Sequence, residues 1–397
     1  MQQHYTNTMF SFLIIFPLLF TLSASALTDL LSSKSHAGYN TYAVLVAGSN
    51  THFNYRHQAH VCHTYQILIN HGVPAKNIIV MMYDDIAYDQ MNPFPGQIFN
   101  APNGTDVYAG VVKDYTGEEV TAENFLGVLK GDKTLAAMGK KVLTTGPNDN
   151  VFIYYAGHGG VGLLGFPSSC LSSHDLNEAL VYMHDNKMYG KLTIHLEACE
   201  SGSMFENILQ DNLKIRAITS SNSKEISFSC YCDTHNIGTC FEDEYSASWL
   251  DYNNLTRQAL EQQFTDYGEN SPSLDPQQFG QKSLISTILK AGRSFLFRGV
   301  KKVVTHLCVH NYCKDAKKVM LSRRPLVKHE TYAKVAKKFH SKCLNLGVHT
   351  FGMKFMHAFA DIVESNDFNE VTLNRFMEDL EKACKNHIVG HNFKAII

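Results

Sequence analysis

The stretch VFIYYAGHGG, Val151 to Gly160, is a five-residue apolar run that ends in a glycine-rich turn around one histidine. A short apolar run closed by glycine reads as a buried strand, and two more precede it: YAVLVAG, Tyr42 to Gly48, and NIIVMMY, Asn77 to Tyr83. Between those two, Arg56 to His71 has helical periodicity and stops at Gly72, with Pro74 just beyond. Strand, helix and strand in succession predict a parallel sheet. The pattern recurs after Val151. A helix is expected from about Leu176, with Asp175 and Glu178 spaced as a capping box. Lys191 to Cys199 then alternates Leu192, Ile194, Leu196 and Ala198 on one face with Thr193, His195, Glu197 and Cys199 on the other. The fold class is α/β, a mostly parallel sheet flanked by helices, with residues 86 to 125 as long surface loops rich in Pro, Gly and Asn.

Beyond about Gln281 the character changes. Tyr332 to Leu346, His349 to Ser365 and Val371 to Lys385 carry helical periodicity, so a second, all-helical domain is expected there. The chain is globular, 397 residues with 44% hydrophobic and 18% charged. Its charge is uneven. Residues 282 to 338 hold 15 Lys and Arg against two acids, residues 1 to 281 hold 14 against 28, and residues 339 to 397 hold 6 against 7. Docking of the basic segment on the acidic first part is the simpler reading, ahead of nucleic-acid binding. Upstream of Asp29, the first charged residue, MFSFLIIFPLLFTLSASA reads as a signal peptide over residues 1 to 26 cleaved after Ala26, with an amino-terminal anchor as the alternative. Two sequons, at Asn103 and Asn254, agree with a secretory address, and ten cysteines there invite disulfides. No later stretch reaches the ~18 apolar residues of a membrane span.

Ligands of open parallel sheets bind outside the carboxyl ends of the strands. Three such ends carry polar, glycine-bearing sequences: GSNTHFNYRH, GHGG and EACESGS. The last offers Cys199, and the one before it offers His158. A thiol is a nucleophile only as thiolate, which Ser201-Gly202-Ser203 would favour as a helix amino terminus and which Glu197 and Glu200 oppose. With a histidine partner the thiolate attacks a carbonyl and the imidazolium protonates the leaving amine. The backbone N–H groups of Cys199 and Gly159 are the candidates for holding the oxyanion. A buried structural cysteine in an ordinary turn is the competing reading.

The segments VAGSNTHFNYRHQAHVCHTYQ, IIVMMYDDIAY, PNGTDVYAGVVKDYTGEEVT, VFIYYAGHGG, DLNEAL and EACESGSMF span about Tyr42 to Tyr252, and through them the chain resembles the legumains, asparaginyl endopeptidases of the caspase-like clan. The resemblance implies a caspase-like catalytic domain over 27 to 281, a basic linker or activation segment over 282 to 330 and a helical prodomain over 331 to 397. It implies Cys199 as nucleophile, His158 as its partner and Asn54 as the residue that orients that histidine. Arg56, His57, Glu197, Ser227 and Asp243 match the pocket for the side chain before the cut, and Cys232 with Cys240 matches a disulfide of the plant enzymes. An asparagine side chain suits such a pocket: Arg56 donates to its carbonyl while Asp243 and Glu197 accept from its amide. Aspartate fits only when protonated.

The expected activity is therefore a lysosomal or secreted cysteine endopeptidase acting through an acyl thioester, with no cofactor. Its expected partners are peptide substrates, its own prodomain as inhibitor, and cystatin-like inhibitors. A peptide ligase on the same site and a non-catalytic homologue are the alternatives. The chain departs from many legumains at Gly157, where they carry aspartate. Glycine there is shared with the catalytic subunit of the GPI transamidase, but that subunit has a carboxyl-terminal span. Cys308, Cys313, Cys343 and Cys384 allow two disulfides of open connectivity, while His306, Cys308, His310 and Cys313 fit no common zinc spacing, so no metal is expected. If the basic segment docks on acids, those acids should titrate low while docked and acid should release the latch, with Asn311 a candidate for cleavage.

Overall fold

The computed structural model describes residues 40–227, 229–232, 237–243 and 284–389. The signal-peptide expectation for residues 1–26 and the sequon at Asn254 lie outside them. Strands β1 (Thr41–Ala47), β2 (Ile78–Met81), β3 (Asn150–Ala156), β7 (Lys191–Glu197) and β8 (Ile215–Thr219) form one sheet in the order β2-β1-β3-β7-β8. Every pairing in it is parallel. The short strands β4 (Gly159–Gly160), β5 (Leu163–Gly165) and β6 (Cys170–Ser172) make an antiparallel sheet beyond the end of β3. β9 (Ser229–Cys232) and β10 (Cys240–Asp243) form a hairpin closed by the Cys232–Cys240 disulfide.

The alternation read from the sequence separates two cores. Leu45, Phe152 and Tyr154 pack with Tyr55, Ala59 and Leu68 of helix α1 (Tyr55–Asn70). On the other face Val46, Ile153, Leu192, Ile194 and Leu196 pack with helices α2 (Ala122–Lys130) and α4 (Ser173–Asp185). A short α3 (Lys133–Ala137) follows α2. Both faces are covered, which is why Thr193, His195 and Glu197 are buried as well.

Two local expectations change. The cap of α4 is Ser172, whose side chain accepts from the Asp175 N–H, so the helix begins three residues before the expected box. After Cys199 the chain makes only a 3-10 turn, Ser201–Met204, with Glu200 in the left-handed region at φ 55°. A single turn supplies little dipole, because that field needs aligned peptides over several turns.

The carboxyl-terminal part is helical: α5 (Leu284–Val309), α6 (Ala316–Leu321), α7 (His329–Lys342), α8 (Met356–Ser365) and α9 (Glu370–Cys384), with a 3-10 stretch Thr350–Phe355 before α8 and a π turn Lys385–Val389 after α9. The segment read as a linker contains α5, whose Leu296, Val300, Val303, Val304 and Leu307 belong to the helical core. Disulfides join Cys308 to Cys313 and Cys343 to Cys384. No described helix is long and apolar enough to cross a membrane.

Candidate active site

The sheet register builds the site. Ala156 of β3 is level with Glu197 of β7, and Ala47 of β1 is level with Ala156. Two residues beyond each end, His158 and Cys199 therefore stand side by side on neighbouring strands. The strand order turns back between β1 and β3, so the ends diverge there and leave a crevice. Close packing holds the turn: a Cβ on Gly159 would fall on the Cys199 carbonyl and within 2.9 Å of the Ala198 Cβ.

Asn54, at the head of α1, fixes His158. Its Nδ2 donates to the Asn50 carbonyl at 2.8 Å, which orients the amide, and its Oδ1 lies 2.8 Å from His158 Nε2. An amide oxygen only accepts, so Nε2 carries the proton and Nδ1 keeps the lone pair. Burial, with Arg56 and Lys354 adding to it, pushes His158 down to about 3. Burial also pushes the Cys199 thiol up, against the Ser227 N–H, 3.4 Å from Sγ, and Lys354. Both shifts favour the neutral thiol and imidazole in this arrangement.

The residues expected to form a pocket converge beside the thiol. Arg56 Nε donates to Asp243 Oδ1 at 2.7 Å. His57 is buried behind it, with Nδ1 2.6 Å from Ser49 Oγ, Nε2 3.9 Å from Asp243 Oδ2, and its ring edge-on to His158 at 5.0 Å. Glu197 is fully buried, accepts from the Tyr154 hydroxyl at 2.6 Å and lies 3.1 Å from His60 Nδ1. Asp243 is buried too, and that burial pushes its carboxyl up while Arg56 draws it down.

Sequence reading missed Ser49, Tyr154 and His60. His60 had a signal, since it lies one helical turn after Arg56 on the same face of α1. His60, Glu197 and Asp243 are the one set of such groups among the described residues whose ligand atoms lie within 4.8 Å of one another. Their contacts with each other, Tyr154 and Arg56 form an ion-pair network rather than an open coordination site. Asn103 is exposed, as a glycan acceptor requires.

The helical part leans on the same site. The Tyr332 hydroxyl donates to the Val161 carbonyl at 2.8 Å, and Ser173 Oγ lies 2.7 Å from His329 Nδ1. Met353 sits on the β4–β5 hairpin, where its carbonyl oxygen would be 2.9 Å from a Cβ on Gly160. Lys337 pairs with Asp175 at 2.7 Å. Among the described residues, the other ion pairs of the basic segment run within the helical part: Arg324 to Asp361, Lys328 to Asp367, Lys334 to Glu330 and Lys338 to Glu381.

Comparison with known proteins gives a match to the peptidase C13 family model over residues 41–294. Among curated proteins, the chain is 48% identical over 270 residues to legumain of Mus musculus, covering 66% of this chain and 60% of that one. It is 51% identical over 247 residues to the vacuolar-processing enzyme delta-isozyme of Arabidopsis thaliana, covering 59% and 53%. It is 47% identical over 252 residues to the hemoglobinase of Schistosoma mansoni, covering 63% and 58%. The matched stretch thus spans between half and two thirds of each of these relatives.

Proposed function

This chain belongs to the peptidase C13 family, and from that premise we propose that it is a cysteine endopeptidase of the legumain type, made as a zymogen, that hydrolyses peptide bonds after asparagine. The observation that carries the reading is the placement of Cys199 and His158 at one level of adjacent strands, with Asn54 holding the imidazole in the tautomer that leaves Nδ1 as base.

The Cys199 proton passes to His158 Nδ1 and Sγ bonds to the substrate carbonyl carbon, whose oxygen is received by the N–H groups of Cys199 and Gly159. The imidazolium gives its proton to the leaving amine as the C–N bond breaks. Water then hydrolyses the thioester and restores the thiol. In the pocket, Arg56 is held through Nε by Asp243, so its Nη groups donate to the asparagine carbonyl, while Asp243 and Glu197 accept from the amide nitrogen. Such a pocket rejects a side chain that leaves its buried polar groups unpaired. Aspartate enters only in its protonated form, at acid pH. His57, behind Arg56, is a positioning residue, and Ser227 lies close enough to the thiol to border the substrate channel.

Met353 on the β4–β5 hairpin and Tyr332 on Val161 support the zymogen reading, because the helical part rests on the strand turns that carry Gly159. The name of the Arabidopsis thaliana relative, a vacuolar-processing enzyme, favours a vacuolar or lysosomal compartment. The test is hydrolysis of matched peptides with Asn, Asp, Gln or Ala before the cut, by chain whose helical part has been removed proteolytically. Cleavage after Asn at least about a hundredfold faster than after Gln, absent in Cys199→Ala, is expected. Equal rates for Asn and Gln would reject the pocket assignment, and activity surviving in Cys199→Ala would reject the nucleophile.

A further inference from the structure

The end of α5 and the π turn after α9 bring three imidazoles together. His306 and His310 stand four residues apart, on one face of the helical turn that the His310 N–H to His306 carbonyl bond continues at 3.2 Å. Their rings stack at 4.3 Å between centroids, and the His387 ring lies 6.2 Å from that of His306. His310 Nδ1 donates to the His306 carbonyl at 2.9 Å, which leaves Nε2 of His310 with the lone pair. His306 Nε2 is buried and has no hydrogen-bond partner among the described residues. A buried ring nitrogen calls for a polar partner, and two further imidazoles stand beside this one.

We propose that His306, His310 and His387 form a binding site for a borderline divalent cation of the zinc class, which ties the end of α5 to the π turn. Two imidazoles on one zinc, each at ~2.0 Å from metal to nitrogen, place their centroids about 5 Å apart. The observed 4.3 and 6.2 Å lie on either side of that value, while the three ring nitrogens do not lie within 4.8 Å of one another as the rings stand, so binding requires the side chains to rotate. The backbone is held on both arms. The Cys308–Cys313 disulfide pins the end of α5, the Cys343–Cys384 disulfide pins the start of the π turn, and Ile388 is fully buried. Imidazole donors select zinc, copper or nickel over magnesium or calcium, and the nearby Asp379 carboxylate is engaged by the Tyr312 hydroxyl at 2.8 Å. Cys308 and Cys313, which flank two of the histidines in sequence, are bonded to each other and do not ligate.

The experiment is calorimetric titration of ZnCl2 into the full disulfide-bonded Cys199→Ala chain at neutral pH, after chelator treatment, with MgCl2 as comparison. One equivalent of zinc is expected to bind with a dissociation constant on the order of micromolar, and magnesium not at all. Binding should weaken by about tenfold or more in His306→Gln, His310→Gln and His387→Gln. His310 is exposed, so its variant keeps the fold and reads the ligand role alone. The melting temperature should rise with zinc and return with EDTA. Absence of binding, or an affinity that survives in all three variants, overturns the site; the second result would assign zinc to other groups, such as His60 with Glu197 and Asp243.

Discussion

Asn54 sets the chemistry of His158 through one hydrogen bond, and its own amide is set by the Asn50 carbonyl. Replacing it by alanine frees the ring to take the other tautomer, so Asn54→Ala should lower kcat about tenfold to a hundredfold with little change in KM, as steady-state rates on one Asn peptide would read. A comparable rise in KM would assign it to substrate binding instead.

Glu200 is the second residue of consequence. It sits next to the nucleophile under the helical part, and burial pushes its carboxyl from the ordinary value of 4.5 up to about 7, with Arg323, the Val161 N–H and Lys354 opposing. Between those values the folded chain holds a proton that the unfolded chain has released. Its contribution to stability therefore grows as pH falls from about 7 toward 4.5, by roughly 3 kcal/mol. Glu200→Gln should flatten the pH dependence of the denaturation midpoint in that window; an unchanged profile would show that Glu200 titrates normally.

Among the described residues, this runs against the electrostatic latch expected from charge balance. Of the described carboxyls, those drawn low by lysines, Glu330, Asp367 and Glu381, pair within the helical part itself, Asp132 is drawn low by the N–H groups of its own helix start, and Glu200 at the interface runs the opposite way.

At the scale of elements, the order of strand ends was legible because each is a short apolar run closed by glycine, and parallel register then fixed which residues stand level. Arg56, Glu197 and Asp243 come from a helix, the central sheet and a hairpin, and the fold brings them together. The turn after Cys199 was not legible. Serine and glycine suit a helix start and a 3-10 turn equally, and the left-handed Glu200 diverts the chain.

The α4 boundary was misplaced for a related reason, since two potential caps precede the helix and the Ser172 hydroxyl takes the Asp175 N–H. Ser172→Ala should cost about 1 kcal/mol in chemical denaturation, whereas Asp175→Asn should cost little beyond its half-exposed pair with Lys337. The reverse ranking would restore Asp175 as the cap.

For the whole molecule, the relation between the two parts depends on which forces dominate the interface. The Lys337–Asp175 pair, with its lysine largely exposed, is worth at most about 1 kcal/mol. Leu326, Tyr332 and Met353 are buried against Gly160 and Gly162, and full burial of such side chains is worth about 1.5 to 3 kcal/mol each, shared between this interface and the helical core. The cover is held chiefly by apolar packing, which composition alone could not reveal because it depends on which glycines of the β4–β5 hairpin leave room. Asn311, the expected cleavage candidate, lies between Cys308 and Cys313, so a cut there leaves the pieces joined. Met353→Ala should loosen the cover and speed alkylation of Cys199 by iodoacetamide severalfold in the intact chain, read by mass spectrometry; no change would place Met353 outside the barrier.

The most direct test of the central claim uses a peptide ending in asparagine that carries a thiol-reactive group in place of the scissile bond, added to chain freed of its helical part. The account predicts one adduct, mapped to Cys199, formed far faster than with the glutamine counterpart and lost in Arg56→Ala. An adduct on Cys62 or Cys170, or equal labelling by the two peptides, would contradict it.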